Sequence, residues 1–167
     1  MNRSTTLPAL LLTLGLAVGA LPARADSAAP NVRAVVSENV SAAGFGATLA
    51  ALKSQLSADG WSLLAEIDLG ERIAKKGKPL PGGLVILELT SGGNTIPLLR
   101  DEATRYVAGL MPCSVSVYGL DDGRTVVSRL NTAALGGMME ARVADVMKQS
   151  STRLDASIAA ALAKAGK

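Results

Sequence analysis

The residue with the most chemistry to offer is Cys113, the only cysteine in a chain that contains no histidine. A thiol attacks carbon, sulfur or a metal as the thiolate, which needs a cation, a helix N-terminus or a metal beside it. None adjoins it in Leu110-Met111-Pro112-Cys113-Ser114-Val115-Ser116-Val117-Tyr118, although a residue distant in the chain could supply one. Side chains alternate across a strand, so Cys113 shares a face with Val115 and Val117. That parity favours a buried small hydrophobe over a catalytic nucleophile. Ser114, Ser116 and Tyr118 take the opposite face and are the candidate ligand or interface residues.

The absence of histidine removes catalytic triads, imidazole bases, and His-ligated zinc and haem together. A single cysteine removes redox pairs, intramolecular disulfides and covalent haem attachment. Met111, Met138 and Met139 are soft donors for Cu(I) or an axial haem position, but methionine at such spacing reads as core filler. No cofactor motif is found. Ser91-Gly92-Gly93-Asn94 lacks both the P-loop lysine and G-x-G-x-x-G, and reads as a loop with Asn94 capping a helix over Thr95 to Glu102. Arg72, Lys75 and Lys76, with Lys78 close by, are the anion-binding candidates. The simpler reading is a solvated face that Glu66, Asp68 and Glu71 partly neutralise.

The elements that must position these residues follow from periodicity. Val32 to Val36 reads as a first strand. Ser41 to Asp59 reads as a helix with Phe45, Leu49, Leu52 and Leu56 on one stripe and Gly60 as its stop. Trp61 to Asp68 alternates as a second strand, with Trp61, Leu63, Ala65 and Ile67 on one side. Asp68 then caps a short helix carrying the basic cluster. Leu84 to Leu89 is a continuous apolar run, hence an interior strand. The Cys113 strand is read as central, and Asp121-Asp122-Gly123 closes it as a hairpin onto Thr125 to Leu130. Asn131 to Leu135 forms a turn broken by Gly136-Gly137. A final helix from about Met138 to Lys164 buries Met139, Val143, Val146, Met147, Leu154, Ile158 and Leu162.

Met1-Asn2-Arg3, the apolar run Leu7 to Leu21 and Ala23-Arg24-Ala25 have the order of a secretory leader with its cleavage site, so residues 1–25 are set apart from the fold. The apolar run is shorter than the ~20 residues of a spanning helix, so no stable membrane anchor is expected. Residues 26–31 read as a linker and 32–167 as a single domain. Losing Arg3 and Arg24 lowers the formal net charge from +3 to +1. With one Trp, one Phe and two Tyr to stack bases, nucleic acid is rejected as a partner.

From Phe45 onward the chain resembles the bacterial domain of unknown function 302 family. The resemblance is carried by Phe45-Gly46-Ala47-Thr48-Leu49 through Leu56 to Gly60-Trp61, by Ala65-Glu66-Ile67-Asp68, and above all by the Pro112-Cys113 strand with its Asp-Gly turn and final helix. It implies an α+β, TBP-like fold: a curved antiparallel sheet of about five strands, helices on one face, a long C-terminal helix, and often a dimer. It implies no established reaction.

The expectation is therefore a periplasmic, non-catalytic, homodimeric binding or accessory module for a small ligand or an envelope partner. The alternative is a thiol-dependent redox or sulfur-carrier protein using Cys113. Intact-mass measurement of the exported protein should give a chain beginning at Asp26; a retained Met1 would overturn the leader reading.

Overall fold

The computed structural model describes residues 32–167, so the leader and the linker lie outside the described residues. Five strands form one antiparallel sheet in the order β1-β5-β4-β3-β2. They are β1 (Val36–Ser41), β2 (Ser62–Asp68), β3 (Leu84–Thr90), β4 (Cys113–Gly119) and β5 (Thr125–Leu130). The helices are α1 (Phe45–Ala58), α2 (Leu69–Ala74), α3 (Gly92–Arg100) and α4 (Ala141–Ala165). This is the expected α+β class, with β4 central.

The core lies on one face of the sheet. Val85, Leu87 and Leu89 of β3, Val115 and Val117 of β4, and Val127 of β5 meet Leu52 and Leu56 of α1 and Leu154, Ile158 and Ala161 of α4. Phe45 and Leu49 flank the cluster half-buried, so the α1 stripe is the expected one. A smaller cluster of Leu98, Val107, Val143 and Met147 seats α3 and the start of α4.

The element boundaries differ from expectation for tertiary reasons. The expected strand at Val32 to Val36 is a 3-10 turn over Val32–Val35, and β1 follows it. The polar run Ser37-Glu38-Asn39 becomes strand because β5 pairs with it from Val36↔Leu130 to Ser41↔Thr125, and pairing outweighs intrinsic propensity. α1 starts at Phe45 and not at Ser41. The buried Ser41 hydroxyl accepts from the Ala43 amide at 3.1 Å and from Thr48 Oγ1 at 2.7 Å, which ends the strand in a tight turn. In β2 the register shifts between Leu63 and Ala65, so Leu63 faces the core side with Leu89, whereas Ala65 and Ile67 face the other side with Glu88 and Ile86. Their expected common face is therefore wrong.

Asp68 caps α2 as expected, accepting from the Glu71 amide at 2.6 Å. Asn94, however, lies inside α3, whose N-cap is Ser91. The Ser91 hydroxyl accepts instead from Arg153 Nη1 at 2.9 Å, a tertiary contact that no local pattern announces. Gly136 and Gly137 do not break the chain but continue a 3-10 turn over Thr132–Met138, and α4 begins at Ala141.

A polar clasp ties the end of α1 to α4. Asp59 accepts from Gln55 Nε2 at 2.9 Å and from Ser157 Oγ at 2.7 Å, while Ser157 accepts from the Trp61 indole at 3.3 Å. The Arg153 guanidinium stands 5.5 Å from the Trp61 ring centroid. The Gln55 and Ser157 hydrogen bonds, joined by the Lys164 and Arg153 charges, hold the Asp59 carboxyl below its ordinary value against the opposing effect of burial. A depressed carboxylate contributes stability above its unfolded value and loses that contribution as pH falls through the folded one. Thermal melts should therefore fall as pH drops below about 3.9, and Asp59→Asn should flatten that acid limb relative to the parent. An unchanged limb would remove Asp59 from the account.

Candidate functional site

The register at one end of the sheet opens a fork. β4 and β5 pair from Gly119↔Thr125 to Val115↔Arg129 and no further. β4 goes on pairing with β3 as far as Leu89↔Cys113, and β5 goes on pairing with β1 as far as Val36↔Leu130. The two central strands part there, and a cavity of about 580 Å³ fills the gap. Its walls are Leu110, Met111 and Pro112 from the segment entering β4, Leu130 from β5, Ile67 from β2 and Leu154 from α4. Glu88, Cys113, Ser114, Arg129, Thr132 and Ser151 supply its polar atoms.

Arg129 is the charged residue that sequence reasoning missed. It is 3 % exposed and lies on the core face in phase with Val127. Its Nε donates to Asp155 Oδ1 at 2.9 Å, its Nη1 to the Leu130 carbonyl at 2.8 Å and its Nη2 to the Ser151 carbonyl at 3.4 Å; Nη2 also pairs with Asp155. The signal was present. Thr125, Val127 and Arg129 share one parity of the strand, so a charge in step with a core valine required a buried partner.

Cys113 has the expected parity with Val115 and Val117, packs against the main core cluster and is half-buried at the cavity wall. Burial, the strongest influence, pushes its thiol above the ordinary value; the Arg129 charge pulls the other way, and the Glu88 carboxylate adds to the upward push. A distant cation does stand near the thiol, but burial outweighs its pull.

Ser114, Ser116 and Tyr118 share the sheet face turned away from α1 and α4, as expected from parity. Ser114 Oγ donates to the Glu88 carboxylate at 2.9 Å, and the Tyr118 hydroxyl donates across β5 to Glu38 Oε1 at 2.7 Å. Ser116 lies between them in a cross-strand row with Ser128 and Glu38 on one side and Ile86 and Ile67 on the other. Apolar side chains flank this polar middle, among them Val40, 55 % exposed, and Leu130, 40 % exposed. Ser114 joins the face to the cavity, since it lines both.

The other candidates are elsewhere. Arg72, Lys75 and Lys76 are exposed on and just after α2, with Lys75 paired to Glu71 at 2.7 Å. They line no part of the fork cavity. Met111 and Met139 flank the smaller apolar cluster as hydrocarbon, and Met138 is 78 % exposed. Among the described residues no group of three or more Cys, Asp or Glu is arranged to hold a metal. No helix among them is long and apolar enough to cross a membrane.

Residues 36–162 match the family described as domain of unknown function DUF302. The crystal structure of an uncharacterized conserved DUF302 protein from Bacillus stearothermophilus superposes with a TM-score of 0.67 at 22 % identity, covering 76 % of this chain and 98 % of that one. The likeness is one of fold. No curated protein matches.

If burial keeps Cys113 protonated, alkylation of the folded protein at pH 7 should run at least tenfold slower than that of the unfolded chain and accelerate as pH is raised. Rapid stoichiometric labelling without unfolding would return Cys113 to the nucleophiles.

Proposed function

We propose a function from the cavity itself, because the chain belongs to the DUF302 family and a domain of unknown function hands down no activity. Our reading is an exported, periplasmic, non-catalytic binding module that acts as a homodimer and holds a small ligand at the β4–β5 fork. The observation that supports it is the fork cavity. Its volume of about 580 Å³ is that of a small-molecule pocket, and hydrocarbon from several elements surrounds a few converging polar groups.

Three features favour binding over catalysis. The thiol is held neutral, the Arg129 charge is already answered by Asp155, and the chain has no histidine to move a proton at neutral pH. The thiol-dependent alternative has one observation in its favour, the cation beside Cys113, but burial outweighs it.

The make-up of the open sheet face supports homodimerisation through it. An antiparallel sheet with helices on one side leaves the other wet or paired. Here that side carries exposed Val40 and Leu130 around a hydroxyl-rich middle. Two copies related by a twofold axis would cover both faces and close the cavity mouth beside Ser114. An envelope protein on the same face is the competing occupant.

Sedimentation should show a dimer at tens of micromolar, and Ser116→Arg should give a folded monomer, because its bulky side chain would stand between the paired faces. A monomeric parent, or a variant that stays dimeric, overturns the pairing. Native mass spectrometry of protein taken from its own periplasm should show a retained small molecule that Leu110→Trp, filling the cavity, excludes. Equal retention in the variant, or none in the parent, overturns the ligand seat.

A further inference from the structure

We infer that the fork cavity takes a small cationic amphiphile, an organic ammonium with a hydrocarbon body; this rests on the cavity being a ligand seat and names the chemistry it selects. The inference comes from accounting for every charge at the cavity. Arg129 offers an anion site by its type, but four of its five N–H donors already have partners. Nε and Nη2 go to Asp155, and Nη1 and Nη2 also go to the Leu130 and Ser151 carbonyls. The pair is neutral as a unit, and its guanidinium is turned toward the backbone and α4. An anionic ligand would have to break that pairing inside the protein, where an uncompensated charge is expensive.

Glu88 is the opposite case. Its carboxylate accepts one hydroxyl proton, shared between both oxygens by Ser114 Oγ at 2.9 Å. Among the described residues no lysine or arginine pairs with it. A carboxylate has about four lone-pair directions, so most of its acceptor capacity remains for a ligand. It lines the cavity together with hydrocarbon from Leu110, Met111, Pro112 and Leu154. One unanswered negative charge at the rim of an apolar pocket selects a molecule that is positive at one end and apolar along the rest. The basic cluster Arg72, Lys75 and Lys76 stands outside this cavity and does not offset the charge.

A matched series separates the charge from the hydrocarbon: hexylammonium, hexanol and hexanoate, titrated calorimetrically into the full mature chain at pH 7. Hexylammonium should bind roughly tenfold tighter than hexanol, the scale of one charge-assisted hydrogen bond, and hexanoate should bind most weakly. Glu88→Gln keeps the shape and a Ser114 partner, and should bring hexylammonium to within about twofold of hexanol while leaving hexanol unchanged. Asp155→Asn, which frees the Arg129 charge, should improve hexanoate selectively. Binding of hexanol and hexanoate with no ammonium preference, or a preference that survives Glu88→Gln, overturns this inference and leaves the cavity reading standing. Binding of none of the three overturns the cavity reading and this inference with it. Should Asp155→Asn fail to fold, the Glu88→Gln comparison decides alone.

Discussion

A guanidinium buried on the core face of a strand must be answered, and the way Arg129 is answered shapes the end of the molecule that carries the cavity. Its partners come from two directions: its own strand end, through the Leu130 carbonyl, and α4, through Asp155 and the Ser151 carbonyl. The long C-terminal helix is thereby held over the parting of β4 and β5. Because the Asp155 side chain is about half exposed, at 51 %, solvent screens part of the pairing, and its main effect is on where α4 sits. The same stretch of the helix is held as well by the Asp59, Ser157 and Trp61 clasp, two residues beyond Asp155. Alongside these polar ties, Leu154, Ile158 and Ala161 settle into the sheet.

With α4 held, the fork becomes a cavity and not a cleft that collapses. The strands part because each finds a better partner outward: β3 for the start of β4, β1 for the end of β5. Backbone groups that lose a neighbour on one side keep one on the other, so the gap opens without stripping both strands of hydrogen bonds. The segment Leu110-Met111-Pro112 closes the gap from outside. At the other end of the sheet the backbones are pressed together instead: a Cβ on Gly119 would lie 2.5 Å from Gly82 Cα.

The chemistry of the fork follows from this packing. Burial of Cys113 on the core side makes the thiol a neutral, polarisable wall, and the nearby Arg129 charge acts on it too weakly to reverse that. The polar groups that face outward, Glu88 with Ser114 and Glu38 with Tyr118, are hydrogen-bonded across strands of the open face. They give an otherwise apolar surface a negative cast. Glu88 lines the cavity, and among the described residues no lysine or arginine pairs with it.

What the sequence determined by itself was whatever depends on local period and local chemistry. The α1 stripe of Leu52 and Leu56, the alternation that puts Val115 and Val117 inward and Ser116 outward, the Asp68 cap and the Asp-Gly hairpin are all consequences of neighbours a few residues away. So was the family, legible in the Pro112-Cys113 strand and its surroundings. The tertiary structure decided what depends on partners far along the chain. β1 formed from Ser37-Glu38-Asn39 because β5 was there to pair with it, the shift at Leu63 and Ala65 reversed the faces of β2, and Ser91 gave its hydroxyl to Arg153, 62 residues away, in place of capping α3. The cavity belongs to the second group. It exists because two adjacent strands pair with other partners and one arginine needs a carboxylate 26 residues on; strand parity turns Arg129 inward but does not say which residue answers it.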